Sequence, residues 1–347
     1  MLLHIGAPKT GTTYLQQVLA TNRAALAEQG VLYPRVGKLA HHTSVWDLRG
    51  KYVGKPQEKK FAGKWDRLVE RARAWDGHTV VVSSELLVFC DADEARRAVT
   101  SFGDLEVHLV YTARDLQRQL PAVWQEQVKN MRSVGYDDFL TDVLGRRKKR
   151  ISRHFWEAQD AAAALQRWAG DLVPAERVHV VTAPPSGAPP QTLWLRFADV
   201  VGVPGADFVT DIPMANESLG VTSAELLRRF NEKHARTEIL EWRSQVMRQL
   251  LPALVEAVPD RDRLPLGEEQ QRKIGEVAEE ITGRLARAGY DVVGSLDDLC
   301  PRKSRRSWVR SEPRHPDRLS EAELLEALLD VLDHVIRQRP QASDGGR

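Results

Sequence analysis

The sequence predicts an α/β fold in which a parallel β-sheet is flanked by helices and followed by a helical C-terminal region. Two observations predict it. First, short apolar runs recur along the chain, and they indicate buried strands at residues 2–5, 79–85, 106–113 and 177–183. Second, segments in which apolar residues repeat at helical spacing separate most of these runs. Strands that are apolar throughout and alternate with helices are typical of a parallel sheet covered on both faces.

The helices of the first half follow from apolar spacing and from the residues at their ends. The spacing predicts helices over about residues 11–29, 64–75, 93–101 and 116–131. Gly30 stands where a C-terminal cap is expected after the first of them. The polar, glycine-containing segment between residues 34 and 64 predicts a loop region instead.

After Pro213 the pattern changes to helices alone. Capping boxes predict that helices open at Thr222 and Ser320, and residues 268–288 have helical spacing. We therefore predict an α/β core over residues 1–215 and a helical region over residues 216–347 that completes this core. Within the helical region, the Arg-, Pro- and Ser-rich residues 301–318 indicate a linker, and residues 341–347 indicate a disordered tail.

Composition excludes several function classes. The 347 residues carry 50 Lys and Arg against 48 Asp and Glu, so a charge of +2 offers no global field for nucleic acid or a membrane surface. The basic run at residues 146–150 is interpreted as a solvated face. Cys90 and Cys300 are interpreted as free thiols, and no apolar stretch approaches a membrane span. These features predict a soluble, cytoplasmic protein without a metal site.

A candidate phosphate-binding loop lies at the start of the chain. Residues 6–13, Gly-Ala-Pro-Lys-Thr-Gly-Thr-Thr, join the first predicted strand to the first predicted helix. Glycines let such a turn curl so that backbone N–H groups point inward, and the helix N-terminus adds its positive dipole. A Walker A loop would continue with Gly-Lys-Ser/Thr after its second glycine, whereas here Gly11 precedes Thr12 and the lysine is Lys9. The position of Lys9 inside the loop suits a shorter phosphate group than a triphosphate.

Polar residues follow three of the predicted strands at the point where each ends. Lys9 follows the first, the sequence Ser-Ser-Glu at residues 83–85 ends the second, and Arg114 follows the third. Ligands of parallel sheets bind at the carboxyl ends of strands. We therefore expect these residues to converge on one site.

The same residues resemble those of sulfotransferases that use 3′-phosphoadenosine 5′-phosphosulfate (PAPS). Pro8-Lys9-Thr10-Gly11-Thr12-Thr13 is similar to the family's 5′-phosphosulfate loop. The strand end at residues 110–115, Val-Tyr-Thr-Ala-Arg-Asp, resembles its 3′-phosphate motif, and residues 289–294 resemble bacterial members. The resemblance implies a P-loop-like fold of the sulfotransferase type and no metal.

The resemblance also implies roles for individual residues. Pro8 and residues 10–13 would bind the 5′-phosphate, Lys9 would neutralise charge on the leaving group, and Arg114 would bind the 3′-phosphate. A hydroxyl or amine of a small-molecule or carbohydrate acceptor would receive the sulfuryl group, with the helical region walling its pocket. The plainer alternatives are a solvated loop lysine at Lys9 and a surface ion pair between Arg114 and Asp115.

One position departs from the family pattern. The 3′-phosphate motif has a serine eight residues after the arginine, where this chain has Ala122. Gln119 or Gln125 would replace that hydroxyl only if the helix turned one of them inward. The departure keeps open a nucleotide-binding protein without turnover, and a nucleotide kinase is the other alternative.

Three residues are candidates for the base that activates the acceptor. Glu85 ends a strand beside the loop and is the preferred candidate, while capping of the next turn is its structural alternative. His41 and His42 lie in the predicted loop and are the other two candidates.

Overall fold

The structure is a computed structural model of the chain, and it describes most of the 347 residues. The described residues are 1–35, 41–52, 54–145, 149–212, 218–234, 245–258, 260, 262–301 and 314–338. Residues 146–148 of the basic run, residues 302–313 of the predicted linker and the predicted tail lie outside them.

The centre of the fold is a parallel sheet, which confirms the predicted α/β class. Within the described residues it has six strands in the order β2-β3-β1-β4-β5-β6, and every neighbouring pair is parallel. The strands are β1 (Leu2–His4), β2 (Val31–Leu32), β3 (Thr79–Ser83), β4 (His108–Ala113), β5 (Val178–Thr182) and β6 (Asp291–Val293). The β3-β1-β4 order places the carboxyl ends of the three strands with polar termini side by side.

Helices connect the strands and, together with loops and short 3₁₀ turns, form the rest of the described chain. They are α1 (Thr12–Thr21), α2 (Arg23–Glu28), α3 (His42–Arg49), α4 (Gly54–Phe61), α5 (Lys64–Arg73), α6 (Ala92–Thr100), α7 (Leu116–Lys129), α8 (Tyr136–Leu144), α9 (Arg150–Gln159), α10 (Ala161–Ala169), α11 (Thr192–Val201), α12 (Val221–Lys233), α13 (Leu251–Ala257), α14 (Glu268–Arg287) and α15 (Glu321–Gln338). No helix among the described residues is long and apolar enough to cross a membrane.

The chain divides into two compact units, each built from three separate stretches. The first unit comprises residues 1–119, 153–214 and 272–302 and contains the whole sheet. The second comprises residues 120–152, 215–271 and 303–347, and its described elements are helical. The functional division predicted at residue 215 stays a prediction. The expectation of helices alone after Pro213 is wrong at one point, because β6 pairs with β5 as an edge strand.

The core of the first unit fixes α1 against the sheet. Leu15, Val18 and Leu19 of α1 are fully buried with Trp194 and Phe197 of α11 in one apolar cluster, which also contains strand residues. Burial of each large apolar side chain contributes about 1.5–3 kcal/mol. The loop between β1 and α1 is therefore anchored firmly at both ends.

Two predictions about the first unit need correction. The predicted helix over residues 11–29 is divided at Asn22, whose side-chain amide donates to Val18 O at 2.8 Å and to Val209 O at 2.9 Å. The segment from residue 34 to residue 64, predicted as a loop, contains α3 and α4 in its described part. The spacing of Val45 and Leu48, both fully buried in α3, is the helical signal that the surrounding polar residues obscured.

The two predicted capping boxes have different outcomes. At the start of α15, Glu323 N–H donates to Ser320 Oγ at 3.3 Å and Ser320 N–H donates to Glu323 Oε2 at 2.9 Å, which confirms the box. At the start of α12, the N–H and hydroxyl of Thr222 both donate to Asp260 Oδ2 at 2.8 Å. The predicted box at Thr222 is therefore wrong, because a carboxylate distant in sequence takes its place.

Candidate active site

The loop between β1 and α1 adopts a backbone that few residues favour. Lys9 has φ 68° and Gly11 has φ 99°, both in the left-handed region. A lysine pays a steric cost there that a glycine does not, so the surrounding contacts must hold Lys9 in place. Gly6 is required for another reason: a Cβ at this position would lie 2.1 Å from Thr112 Oγ1.

Three successive carbonyls of this loop are hydrogen-bonded by side chains. Thr10 Oγ1 donates to Ala7 O at 2.7 Å, and Arg114 Nη1 donates to Lys9 O at 3.0 Å. The contact from Arg114 joins the end of β4 to the loop, so the structure brings together two of the predicted site residues.

The carbonyl between them, on Pro8, accepts hydrogen bonds from two glutamines. Gln119 Nε2 donates to Pro8 O at 2.9 Å and to Gln159 Oε1 at 2.8 Å, and Gln159 Nε2 donates to Pro8 O at 3.2 Å. Both glutamines are buried. The helix therefore turns Gln119 inward, but both N–H groups of its amide are used by Pro8 O and Gln159, so Gln119 has no donor left to replace the missing hydroxyl. Gln125 donates to Leu219 O instead.

These contacts give the loop a definite polarity. The carbonyl oxygens of Ala7, Pro8 and Lys9 are the negative ends of three peptide dipoles, and side-chain donors hydrogen-bond all three. The first N–H groups of α1 have no acceptor within the helix, and the N-cap residue Gly11 has no side chain to supply one. An uncapped helix N-terminus behind a loop whose carbonyls are already bonded favours an anion.

A buried chain of hydrogen bonds ties the loop to three strands. Thr10 Oγ1 lies 2.7 Å from Thr112 Oγ1, which lies 3.2 Å from His4 Nε2, and His4 Nδ1 lies 2.8 Å from Ser83 Oγ. Because Thr10 donates its proton to Ala7 O, Thr112 must donate to Thr10 and His4 to Thr112. His4 therefore carries a proton on Nε2, and complete burial lowers its pKa to about 3, which keeps the ring neutral at ordinary pH.

Glu85 and His42, two of the candidate bases, lie side by side. His42 Nε2 is 3.7 Å from Glu85 Oε1, and His42 Nδ1 is 2.8 Å from Ser84 Oγ. Gln16 of α1 donates to Glu85 Oε2 at 3.0 Å. Ser84, rather than Glu85, caps the turn that follows β3, since its Oγ accepts from Leu86 N–H at 3.3 Å. The two candidate bases are both half-buried.

His41, the third candidate base, is engaged by backbone on both sides of its ring. Ser83 N–H donates to its Nδ1 at 3.0 Å, and Nε2 lies 2.8 Å from Pro34 O, to which it must therefore donate. The ring is completely buried, and desolvation lowers its pKa to about 4. This geometry argues against His41 as the base and gives it the role of fixing the end of β3.

The remaining predicted residues lie at the start of α1. Thr12 is its first residue and is buried, and Thr13 follows it and is half-buried. Residues that the sequence interpretation missed or left without a role are His4, Ser83, Thr112 and Gln159. Polar residues at the carboxyl ends of the otherwise apolar strands β1, β3 and β4 were the available signal for the first three, whereas Gln159 is brought in by a distant helix.

A second polar cluster lies at the amino ends of the strands. His108 Nδ1 is 2.9 Å from His179 Nε2, and the two rings stack with planes 7° apart. Glu106 lies 2.9 Å from His108 Nε2, and Asp291 lies 2.7 Å from His179 Nδ1. A carboxylate therefore closes each end of this chain, and Arg177 pairs with Glu106 at 2.8 Å.

Among the described residues, one group has the composition of a metal site: Asp137, His315 and Asp317. Its geometry has another explanation. The carboxylate of Asp317 accepts the backbone N–H of Tyr136 at 3.0 Å and that of Asp137 at 2.7 Å, so it caps the start of α8. His315 Nδ1 accepts from Asp317 N–H at 3.3 Å, and its Nε2 lies 3.3 Å from Asp137. The group is a helix cap braced by a histidine.

Comparison with known proteins gives one similarity. No protein-family model and no curated protein matches the chain. A solved structure titled "Sulfotransferase Domain from the Curacin Biosynthetic Pathway" is similar to the chain at 12% sequence identity and a TM-score of 0.38. The similarity covers 80% of this chain and 97% of that domain. Similarity at this level carries no functional argument.

Proposed function

We propose that this chain transfers a sulfuryl group from PAPS to a hydroxyl or amine of a small-molecule or carbohydrate acceptor. The observation that carries the proposal is the bonding of three successive loop carbonyls, at Ala7, Pro8 and Lys9, by side-chain donors. This bonding leaves the loop and the N-terminus of α1 suited to an anionic group, and the cationic Lys9 lies inside the same loop.

The residues present fit a phosphosulfate group. The N–H groups of Thr10, Thr12 and Thr13 and the hydroxyls of Thr12 and Thr13 would bind its 5′-phosphate, and the ammonium of Lys9 would offset the negative charge that grows there. When bound, PAPS supplies the sulfuryl group and the leaving phosphate. The planar guanidinium of Arg114 has five N–H donors, so binding of a 3′-phosphate is compatible with its hydrogen bond to Lys9 O.

Glu85 is the proposed base for the acceptor. Its carboxylate lies at the end of β3, and its two oxygens face Gln16 and His42 rather than the backbone N–H groups of the following turn. The amide of Gln16 fixes the carboxylate, and the ring of His42 offers a second group beside it that can take up a proton. Positioned groups of this kind accelerate proton transfer by about 10² to 10⁴ fold.

A nucleotide kinase remains the alternative that the experiment must exclude. It would need a triphosphate and Mg²⁺, whereas Gly11 is followed by Thr12 and Thr13 instead of the lysine and hydroxyl residue that hold them.

Calorimetry with three ligands tests the proposal. Adenosine 3′,5′-bisphosphate (PAP) should bind, and ATP with Mg²⁺ should bind at least about tenfold more weakly, a difference of about 1.4 kcal/mol. Arg114→Ala should weaken PAP binding more than it weakens binding of adenosine 5′-phosphosulfate, because the second ligand has no 3′-phosphate and loses only the loop contact between Arg114 and Lys9 O. Tighter binding of ATP with Mg²⁺ would support the kinase, and equal losses for both adenosine ligands would contradict the role of Arg114.

A further inference from the structure

Helix α15 carries apolar residues around more than half of its circumference. Leu324, Ala327 and Val331 are buried, and the helix packs against α12 and α13 of the same unit. This contact uses only one part of the apolar surface. The pattern is that of a bundle helix with one more neighbour than the described residues of its unit provide.

The remaining apolar residues of α15 form a continuous exposed stripe. Between 38% and 69% of each residue is accessible, and the stripe consists of Leu325, Leu328, Leu329, Leu332, Val335 and Ile336. Positions 325, 329, 332 and 336 are separated by four, three and four residues. This alternation is the seam of two helices that pack side by side along their length.

The exposed stripe is large enough for a specific contact between two copies. Its accessible area is on the order of 500 Å² per copy, and a pair would bury about 1,000 Å², which is near the minimum for a specific interface. A two-fold symmetric pair uses the same surface on both partners, so one stripe suffices.

Charge along one edge of the stripe favours an antiparallel pair. Glu326 and Arg337 are eleven residues, or three turns, apart on the same edge. If two helices cross at the midpoint of the stripe in opposite directions, Glu326 of each lies level with the last turn of the other, which carries Arg337. Arg337 already pairs with Asp333 of its own helix at 2.7 Å, and its guanidinium has further N–H donors for a second carboxylate.

We propose that this chain forms a two-fold symmetric dimer through the exposed stripe of α15, with the two helices antiparallel. The occupant of the stripe is therefore a second copy of this chain. The proposal goes beyond the proposed function and does not depend on it.

Sedimentation of the full chain over about 1 to 100 µM tests the proposal, since mass action makes dimerisation depend on concentration. Wild-type protein should form dimers, and Leu332→Glu should be monomeric with an unchanged circular dichroism spectrum. The matched control is Leu195→Glu on α11, because Leu195 is 42% exposed and Leu332 is 48% exposed. This control should dimerise like the wild type.

Charge exchange tests the orientation, and it leaves the apolar residues of the helix unchanged. Glu326→Arg and Arg337→Glu should each weaken the dimer several fold, and the double variant should restore it. A wild-type monomer at every concentration would overturn the proposal. A dimer that Leu332→Glu leaves intact would also overturn it. If the wild type is a monomer and Leu332→Glu destabilises it, the chain itself covers the stripe and the proposal is overturned as well. Failure of the double variant to restore the dimer would overturn the antiparallel arrangement.

Discussion

The two ends of the sheet carry similar residues in different arrangements. At the amino ends of β4 and β5, His108 and His179 pair with each other, and Glu106 and Asp291 close the chain. At the carboxyl ends, His4 and the neighbouring hydroxyls bond to each other and then to a carbonyl of the loop. The first cluster joins side chains to one another, whereas the second is connected to backbone.

This difference shows why residue type alone does not identify a site. Histidines beside carboxylates at the amino ends have the composition of a catalytic cluster, but within the described ranges no α-helix N-terminus is part of it. At the carboxyl ends, side chains bond the carbonyls of Ala7, Pro8 and Lys9, so the peptide dipoles of the loop are held in one orientation. Preorganised dipoles stabilise charge at little reorganisation cost.

The largest expected effect is at Glu85, whose carboxylate lies at the carboxyl end of β3. Glu85→Gln keeps the shape of the side chain and removes its basicity, so turnover should fall by about 10² to 10⁴ fold. The measurement is sulfated product formed from PAPS with an acceptor found in a panel of hydroxyl and amine compounds. PAP affinity should be unchanged.

His42→Asn is the comparison for this prediction, because His42 lies beside Glu85. Its effect should be smaller than that of Glu85→Gln. The opposite ranking, with turnover retained in Glu85→Gln and lost in His42→Asn, would assign the base to His42.

The next largest effect is expected at Lys9. Lys9→Ala should reduce turnover by about 10² fold, the scale seen when one preorganised transition-state donor is removed. Lys9→Gly is the matched control for backbone strain, since glycine accepts the positive φ of this position. It should be as inactive as Lys9→Ala but more stable to heat. Full turnover in either folded variant would remove Lys9 from the mechanism.

A smaller effect is expected at Gln119 of α7, whose amide donates a hydrogen bond to Pro8 O of the loop. Gln119→Leu removes its hydrogen bond to Pro8 O and leaves the longer one from Gln159, so PAP affinity should fall about tenfold. Gln117→Leu, two residues earlier on the same helix, is the control and should change the affinity little. Unchanged affinity in Gln119→Leu would show that the loop keeps its shape without this contact.

The smallest effect is expected at the amino end of the sheet. His179→Asn should leave turnover and PAP affinity within about twofold of the wild type. The hydrogen bonds of His179 go to His108 and Asp291, at the end of the strands opposite to the loop. Calorimetry and the turnover assay give both values. A loss as large as that of Gln119→Leu would contradict the distinction between the two ends.

The sequence predicted the positions of most strands and the convergence of their polar ends, because both depend on local patterns. Continuous apolar runs identify buried strands, and adjacent parallel strands bring their carboxyl ends together. Lys9, Glu85 and Arg114 were found in this way. The short strand β6 carried no such pattern, since its residues are exposed or half-buried at the sheet edge.

The contacts that shape the loop were less accessible to sequence reasoning. Gln119 and Gln159 meet Pro8 across separations of 111 and 151 residues, and no local pattern records such pairs. Neighbouring His41 and His42 looked equivalent in a segment interpreted as a loop. The start of α3 separates them, burying one ring and turning the other toward Glu85.

The burial of His4 and His41 also makes the stability of the protein depend on protons. Their ordinary pKa is 6.5, and burial lowers the pKa of His4 to about 3 and that of His41 to about 4. Below pH 6.5 the unfolded chain therefore binds protons that the folded chain does not, and each histidine removes about 1.4 kcal/mol of stability per pH unit. This loss begins as the pH falls through about 6.5 and continues to about 4 for His41 and about 3 for His4. Between pH 7 and pH 5, chemical unfolding should show a loss of roughly 2 to 4 kcal/mol, so acid weakens the fold through the two rings that hold the loop and the end of β3.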